Sequence, residues 1–309
     1  MGYHIERVSA NKLSDLVLLF RDAFNWKTNV DFLSFRYDTT RLGPRDLGYL
    51  AYSDDNEPAA YYGVFAAKLY INGDVIQGAQ SGDTATHSRH RGKGLFTDLA
   101  KATYELAARE GVKVIFGFPN KNSYPGFVKK LDWKHTHDID VYKIKVLTLP
   151  LAQAARKYAW MKGLFNWWVS LFVKSKTTSH LLESSITSAG QNGVIHDAAY
   201  YAYKQSDNKY LINYNGIRMW LKFDGFLWVG DMALSDAAAF RKSMKFLKTL
   251  AFITGCDKIV FHASPGTKMH EFVSADYSKS SVMPAAGLNL DGGDSISTLK
   301  FIGSDFDSW

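Results

Sequence analysis

Residues 86–96 read THSRHRGKGLF, with five His, Arg or Lys side chains and two glycines set between a strand-like stretch and an amphipathic one. A strand that passes through a glycine-containing loop into a helix brings several backbone N–H groups to one point, at the positive end of the helix dipole. That arrangement is a cradle for an anion. Glycine at 92 and 94 permits backbone angles that side chains oppose and lets a phosphate approach the N–H groups. Arg89, Arg91 and Lys93 add positive charge around them. The plain alternative is a solvated basic turn. No GxxxxGK[ST] spacing is present, which excludes a P-loop. The loop follows several antiparallel strands instead of opening a first βαβ unit, which excludes a Rossmann fingerprint.

Upstream of the loop, SANKLSDLVLLFRDAFNW has apolar residues at helical spacing, with Ser9 or Asn11 as the expected cap. From 47 to 87, apolar and polar residues alternate between turn signals at SDDNEP and at Asn72-Gly73, predicting three or four antiparallel strands. Downstream, Leu95, Leu99, Ala102 and Leu106 form the stripe of a helix packed on a sheet, and Gly111 ends it. VKVIFGF then reads as a strand covered on both faces, PNKNSYPGFVKKL as a turn and short helix, and DWKHTHDIDVYKIKV as a further strand. A strand, crossover helix and strand in that order imply a parallel pair.

Residues 149–185 lack strand alternation and predict two connecting helices. Within them KGLFNWWVSLFVKSK carries lysines on either side of an aromatic run. Residues 163–173 are too short to span a bilayer but are able to lie on an anionic one, unless the helix is simply buried. From 194 onward the first pattern returns. Hairpin signals stand at Asn215-Gly216 and Asp224-Gly225, Phe240, Met244, Leu247 and Ala251 repeat the helical stripe, and GCDKIVFHASPGTKMHEFV echoes GVKVIFGFPNKNSYPGFVKKL. This reads as an internal duplication in which nothing matches RHRGKG, since the equivalent stretch is MALSDAAAFRK. One half is built to hold a phosphate and the other is not.

The chain of 309 residues is 46% apolar and carries an excess of seven basic residues, with a pI near 9.2, which favours anionic ligands without specifying which. Its single cysteine, Cys256, excludes an internal disulfide and a cysteine-built metal site and reads as a buried apolar residue. Charges interrupt the N-terminal stretch where a signal peptide needs its apolar core, so a cytoplasmic location is expected.

The loop resembles the pyrophosphate loop of the GNAT superfamily of acyl-CoA transferases, whose pattern is [RQ]xxGx[GA]. Two registers fit: Arg89, Gly92 and Gly94, or, with the preceding strand aligned as well, Arg91, Gly94 and Phe96. Phe96 stands where the family usually has Gly or Ala; Leu or Phe there resembles a subset that includes the enhanced-intracellular-survival type of aminoglycoside acetyltransferase. The resemblance covers about residues 1–147, with 191–309 similar to a degenerate second unit and 148–190 a helical connector. It implies a mixed, mostly antiparallel sheet flanked by helices, an α/β (α+β) fold in duplicate. It further implies a diphosphate held by Arg91, Gly92, Lys93, Gly94, Leu95 and Phe96. Pantetheine would lie along Thr84, Ala85 and Thr86, and Asn120 would contact the cofactor.

The implied reaction is direct acetyl transfer from acetyl-CoA to a primary amine of a small molecule or amino sugar, with no metal and no covalent enzyme intermediate. The family's usual acid, a tyrosine, aligns with Val128, so Tyr124, one helical turn earlier, is the candidate acid. Asp83 is the candidate base, with His87 a further one whose position is commonly structural. By analogy with the aminoglycoside-modifying relatives, Asp305, Asp307 or the Trp309 carboxylate would close a cationic amine site. The alternatives are a catalytically inactive acyl-CoA-binding scaffold, a metal site on His135 and His137, and nucleic-acid binding. The last has basic charge in its favour but no fold signature, so no nucleic-acid partner is expected.

Overall fold

The computed structural model describes residues 2–307 and 309, and its contacts divide the chain into two compact units. Unit 1 holds the residues up to Thr136 together with Pro284–Thr298; unit 2 holds His137–Met283 and Leu299–Trp309. The units interleave along the chain, whereas the division at 147 and 190 drawn from the sequence is linear.

Unit 1 runs β1 (Tyr3–Arg7), α1 (Leu13–Phe24), α2 (Val30–Tyr37), β2 (Gly48–Ser53), β3 (Pro58–Ile71), β4 (Asp74–Thr86), α3 (Leu95–Arg109), β5 (Val114–Gly117) and α4 (Tyr124–Lys130). Strands β1 to β4 pair antiparallel in succession, and β4 pairs parallel with β5 across the α3 crossover. The β3–β4 hairpin turns on Asn72 (φ 52°) and Gly73 (φ 98°), the two left-handed residues that a tight hairpin requires. In α3, Leu95, Leu99 and Leu106 are buried together with Ala100 and Ala107. Each buried leucine contributes about 2 kcal/mol, and Leu95 thereby fixes the first turn of the helix under the loop. Neither Ser9 nor Asn11 caps α1. A 3-10 turn, Ala10–Lys12, leads into that helix, and the two polar side chains bond to each other instead.

Unit 2 contains β6 (Lys134–Lys145) from His137 on, α5 (Leu151–Lys157), α6 (Ala159–Val173), β7 (Gly193–Val194), α7 (Ala198–Lys204), β8 (Lys209–Tyr214), β9 (Ile217–Asp224), β10 (Phe226–Met232), α8 (Ala237–Thr254), β11 (Lys258–Ala263) and α9 (Lys268–Asp276). The predicted connecting helices are α5 and α6. Strands β8, β9 and β10 pair antiparallel, and β10 pairs parallel with β11 across α8, whose Phe240, Met244, Leu247 and Ala251 are buried. The order β3-β4-α3-β5 of unit 1 therefore recurs as β9-β10-α8-β11.

A last strand, β12 (Ser281–Asn289), contributes Ala286–Asn289 to unit 1 as the antiparallel neighbour of β5. In unit 2 the matching place beside β11 is taken by residues 140–145 of β6. The strands of each unit thus gain a partner from the other half of the chain. The sequence SVMPAAGLN, with proline, glycine and small residues, gives little strand signal. Its glycine is required by packing, because a Cβ on Gly287 would stand 2.4 Å from the Ile115 carbonyl oxygen.

Candidate functional site

The end of β4 departs from its neighbours in two ways. In the β3–β4 ladder Tyr61 faces Ala85 and Gly63 faces Gly82, so Asp83 and Thr84 together face Tyr62, a β-bulge. Asp83 takes up the extra residue at φ 54°. The parallel ladder with β5 holds only from Gly78–Val114 to Gln80–Phe116, and β5 ends at Gly117. The bulge and Thr84, Ala85 and Thr86 consequently lie beyond the end of β5, where β4 has lost its parallel partner.

From there the chain makes a 3-10 turn, Ser88–His90, and enters the loop. Gly92 (φ 76°) and Gly94 (φ 82°) are both left-handed, and Gly94 is the N-cap of α3 with no side chain capping it. Among the described residues, no acceptor is paired with the backbone N–H groups of Arg91, Gly92, Lys93, Gly94, Leu95 and Phe96. Six consecutive unpaired donors at the N-terminus of a 15-residue helix are an anion cradle. Arg91 and Lys93 are exposed beside it, while Arg89 is ion-paired to Glu57. Of the two sequence registers, the one through Arg91, Gly94 and Phe96 therefore keeps a free guanidinium at the loop. Phe96 is half-buried, its ring 5.8 Å from Tyr62 and 5.3 Å from Phe127. Gly126 makes room for it, because a Cβ there would stand 3.1 Å from that ring.

The loop is held from below by a polar cluster. His90 is buried, with Nδ1 3.0 Å from the Tyr3 hydroxyl and Nε2 3.2 Å from Glu57. Asp22 accepts from the Ser88 N–H and hydroxyl, which holds its carboxyl below the usual range, and the bond to His90, with Arg89, does the same for Glu57. His87 Nδ1 accepts from the Arg89 N–H at 3.2 Å, so in the neutral ring the proton sits on Nε2, 3.5 Å from Glu57 and 3.6 Å from Asp22. Glu57, His87 and His90 are close enough to share a metal ion. The tautomer of His87, however, offers the carboxylates a proton and no lone pair, so the cluster reads as a buttress for the turn. His135 and His137 go separate ways: His135 packs edge-on against Tyr124 in unit 1, and His137 Nε2 lies 2.6 Å from the Ser264 hydroxyl in unit 2.

Asp83 is not a free carboxylate. Arg36 of α2 donates to both its oxygens, at 2.6 and 2.8 Å, and the Tyr37 hydroxyl lies 3.5 Å away. Tyr37 also lines an open cleft of about 450 Å³ bordered by Asp31, Asp38 and Asp46, together with Arg45, which is itself paired to Asp46. Tyr124 opens α4, partly exposed, and its hydroxyl has no partner among the described residues. Asn120 uses its side-chain oxygen to cap the turn into α4, accepting from Asn122 and Ser123 N–H at 2.9 and 3.1 Å, which leaves its amide NH2 as a donor. Across the bulge, Tyr62 shares its hydroxyl with Ser81 (3.0 Å) and Tyr104 (2.9 Å), and Trp133 donates to Tyr104 at 2.8 Å. Burial raises both tyrosines, so they remain protonated. Glu57, Arg36 and this tyrosine chain were not foreseen, because each partner is remote in sequence and none lies in a motif.

The described residues of unit 2 do not carry the same features. Its β10–α8 connection contains no glycine, and Asp236 caps α8 by accepting from Ala239 N–H at 2.8 Å, so a carboxylate stands where a phosphate would have to. Beyond the β10–β11 ladder the space is filled by the chain itself. Ile302 bridges to Ala263, Phe301 exchanges hydrogen bonds with Ser264 at 2.8 and 3.0 Å, and the Ser304 hydroxyl donates to the Gly230 carbonyl. The Trp309 ring lies so close to Gly230 that a Cβ there would be 2.4 Å away. The expectation that the C-terminal acids close an amine site fails for Asp305, which is buried and engaged by His196 Nε2 (2.8 Å) and Ile302 N–H (2.8 Å). Cys256 is buried and its thiol is pushed up to about 12, which removes it as a nucleophile.

Residues 4–136 match the family described as an acetyltransferase (GNAT) domain. No curated protein matches the chain significantly. Among solved structures, a GCN5-related N-acetyltransferase from Kribbella flavida superposes with a TM-score of 0.62 at 12% identity, over 94% of this chain and 71% of that one. A probable N-acyltransferase of unknown function from Enterococcus faecalis gives 0.62 at 14%, over 94% and 73%. Saccharomyces cerevisiae N-myristoyltransferase with bound myristoyl-CoA gives 0.58 at 8%, over 93% and 82%. At these identities the likeness is one of fold, a mixed sheet flanked by helices.

Proposed function

We propose, from the match of residues 4–136 to the acetyltransferase (GNAT) domain family, that this protein transfers an acyl group, in the first instance acetyl, from acyl-CoA directly to a primary amine of a small molecule or amino sugar. The observation that carries the reading is the run of six unpaired N–H groups from Arg91 to Phe96, placed where β4 has bulged and left β5. These donors, with Arg91 and Lys93, hold the diphosphate. The free edge around Thr84, Ala85 and Thr86 receives pantetheine as an added strand. Acyl-CoA supplies a thioester whose carbonyl carbon takes the amine and whose sulfur leaves as thiolate. The chain's part is to polarise that carbonyl with backbone N–H groups at the bulge and to deliver a proton to the sulfur from the unpartnered Tyr124 hydroxyl. Asn120 NH2 steadies the cofactor. Asp83 is tied to Arg36, so its role in this reading is to position; the amine proton passes to water. The carboxylates of Asp31 and Asp38 suit a cationic acceptor, Asp46 being already paired to Arg45. Direct transfer needs no metal, and in this reading the reaction runs in the cytoplasm, where acyl-CoA is supplied.

A second reading, an acyl-CoA-binding protein without turnover, is favoured by Val128 at the usual tyrosine position and by the ion pair that occupies Asp83. Calorimetry with acetyl-CoA and CoA, paired with thiol release over a panel of primary amines, separates the two. Binding with release from at least one amine supports the enzyme, binding without release from any supports the scaffold, and indifference to both ligands removes the shared premise.

A further inference from the structure

Helix α6 has two apolar faces. One, formed by Phe165, Val169 and Val173, is buried in unit 2. The other, formed by Trp160, Leu164, Trp167 and Leu171 at the i, i+4, i+7, i+11 spacing of a single stripe, is exposed by 77, 60, 57 and 52%. A surface helix ordinarily carries polar residues there, and a contiguous exposed apolar stripe marks a face that meets something. The segment of chain that carries it is basic, although Arg156 is paired with Asp224 of β9. Between Asp140 and Glu183 the chain holds Lys143, Lys145, Arg156, Lys157, Lys162, Lys174 and Lys176 and no acidic residue. Lys174, just past the C-terminal end of the stripe, is exposed and has no carboxylate partner among the described residues.

From this geometry we infer that the outer face of α6 docks on an anionic bilayer surface, with the tryptophans at headgroup level and the lysines on the phosphates. The charge pattern selects this occupant over a second copy of the chain. A symmetric dimer through this stripe would bring the same basic residues face to face, whereas an anionic headgroup layer complements them. Tryptophan belongs at that depth because its ring is apolar and its N–H polar. The 15 residues of α6 rise about 22 Å, short of the roughly 30 Å of a hydrocarbon core, so the helix lies on the membrane instead of crossing it. Consistent with that, no helix among the described residues is long and apolar enough to cross a membrane. The inference is independent of the acyl-transfer reading.

The test is co-sedimentation of the full chain with vesicles of phosphatidylcholine alone and of phosphatidylcholine with phosphatidylglycerol, at low and high salt, with tryptophan emission recorded in parallel. Binding at least tenfold tighter to the anionic vesicles, a blue-shifted emission and loss of binding at high salt are expected. Trp160→Ser combined with Trp167→Ser should weaken binding at least tenfold. Lys174→Glu should weaken it at least fivefold, since each basic group near such a surface strengthens binding by about fivefold. All three positions are exposed, and near-UV circular dichroism verifies that the variants fold. A wild type that sediments with neither vesicle overturns the inference. So does binding unchanged in folded variants, and so does a concentration-dependent dimer, abolished by the tryptophan substitutions, in a protein that ignores vesicles.

Discussion

The role of the loop is tested most directly by substituting Gly94 with Asp and, separately, with Asn. The two side chains have nearly the same volume and both tolerate the left-handed region better than most residues, so each costs the fold roughly 1 kcal/mol at φ 82°. A Cβ at position 94 meets nothing closer than Asp98 Oδ2 at 3.7 Å, which rules out a steric difference between the variants. What separates them is charge. A carboxylate about 5 Å from a diphosphate carrying two negative charges, in an exposed loop where the dielectric is close to that of water, adds repulsion of about 1.7 kcal/mol. That is roughly a twentyfold rise in Kd for Asp over Asn. Calorimetry with CoA should show this ratio, shrinking as salt is added, and calorimetry with pantetheine, which lacks the diphosphate, should show none. Thermal unfolding should find the two variants alike to within a few degrees. Equal CoA affinity of the two folded variants would falsify the proposal that the Arg91–Phe96 N–H groups hold the diphosphate.

Three further outcomes are expected. Tyr124→Phe should lower kcat by roughly 10²-fold in the thiol-release assay and leave the Kd for CoA unchanged if its hydroxyl protonates the leaving sulfur; an unchanged kcat assigns the tyrosine to packing. Asp83→Asn and Arg36→Ala should each reduce stability in urea by about 2 kcal/mol, because each leaves one half of a partly buried ion pair uncompensated, and the double variant should lose less than the sum. If Asp83 only positions, the pH dependence of kcat is the same in Asp83→Asn and wild type. Burial pushes the His262 imidazole down to about 4, and Lys143 acts in the same direction. The unfolded chain therefore takes up a proton between about pH 6.5 and 4 that the folded one refuses, and stability falls as pH drops through that window. With the ring partly exposed between Trp228 and Phe306, the loss is about 2 kcal/mol, and His262→Gln should flatten that part of the urea midpoint profile.

Local pattern fixed a good deal of this protein. The helix α3, the strand before it and the two glycines between them follow from spacing and from φ, because an i, i+4 stripe and a left-handed turn are properties of a few consecutive residues. The same holds for the repeated order in unit 2 and for its lack of a phosphate loop, since MALSDAAAFRK has neither glycine nor basic cluster and supplies in Asp236 a carboxylate cap. What only the tertiary structure decided are relations between residues far apart in the chain. These include the bulge that sets Asp83 and Thr84 opposite Tyr62, the engagement of Asp83 by Arg36, and the pairing of Arg89 with Glu57 that leaves Arg91 at the loop. They include as well the filling of the unit 2 gap by Leu299–Trp309 and the closing of unit 1 by β12, a strand written in small residues. The physical reason is the same throughout. Periodicity and turn chemistry are carried by neighbours along the chain, while charge pairing, register and the occupation of a cleft depend on which distant segments the folded core brings together.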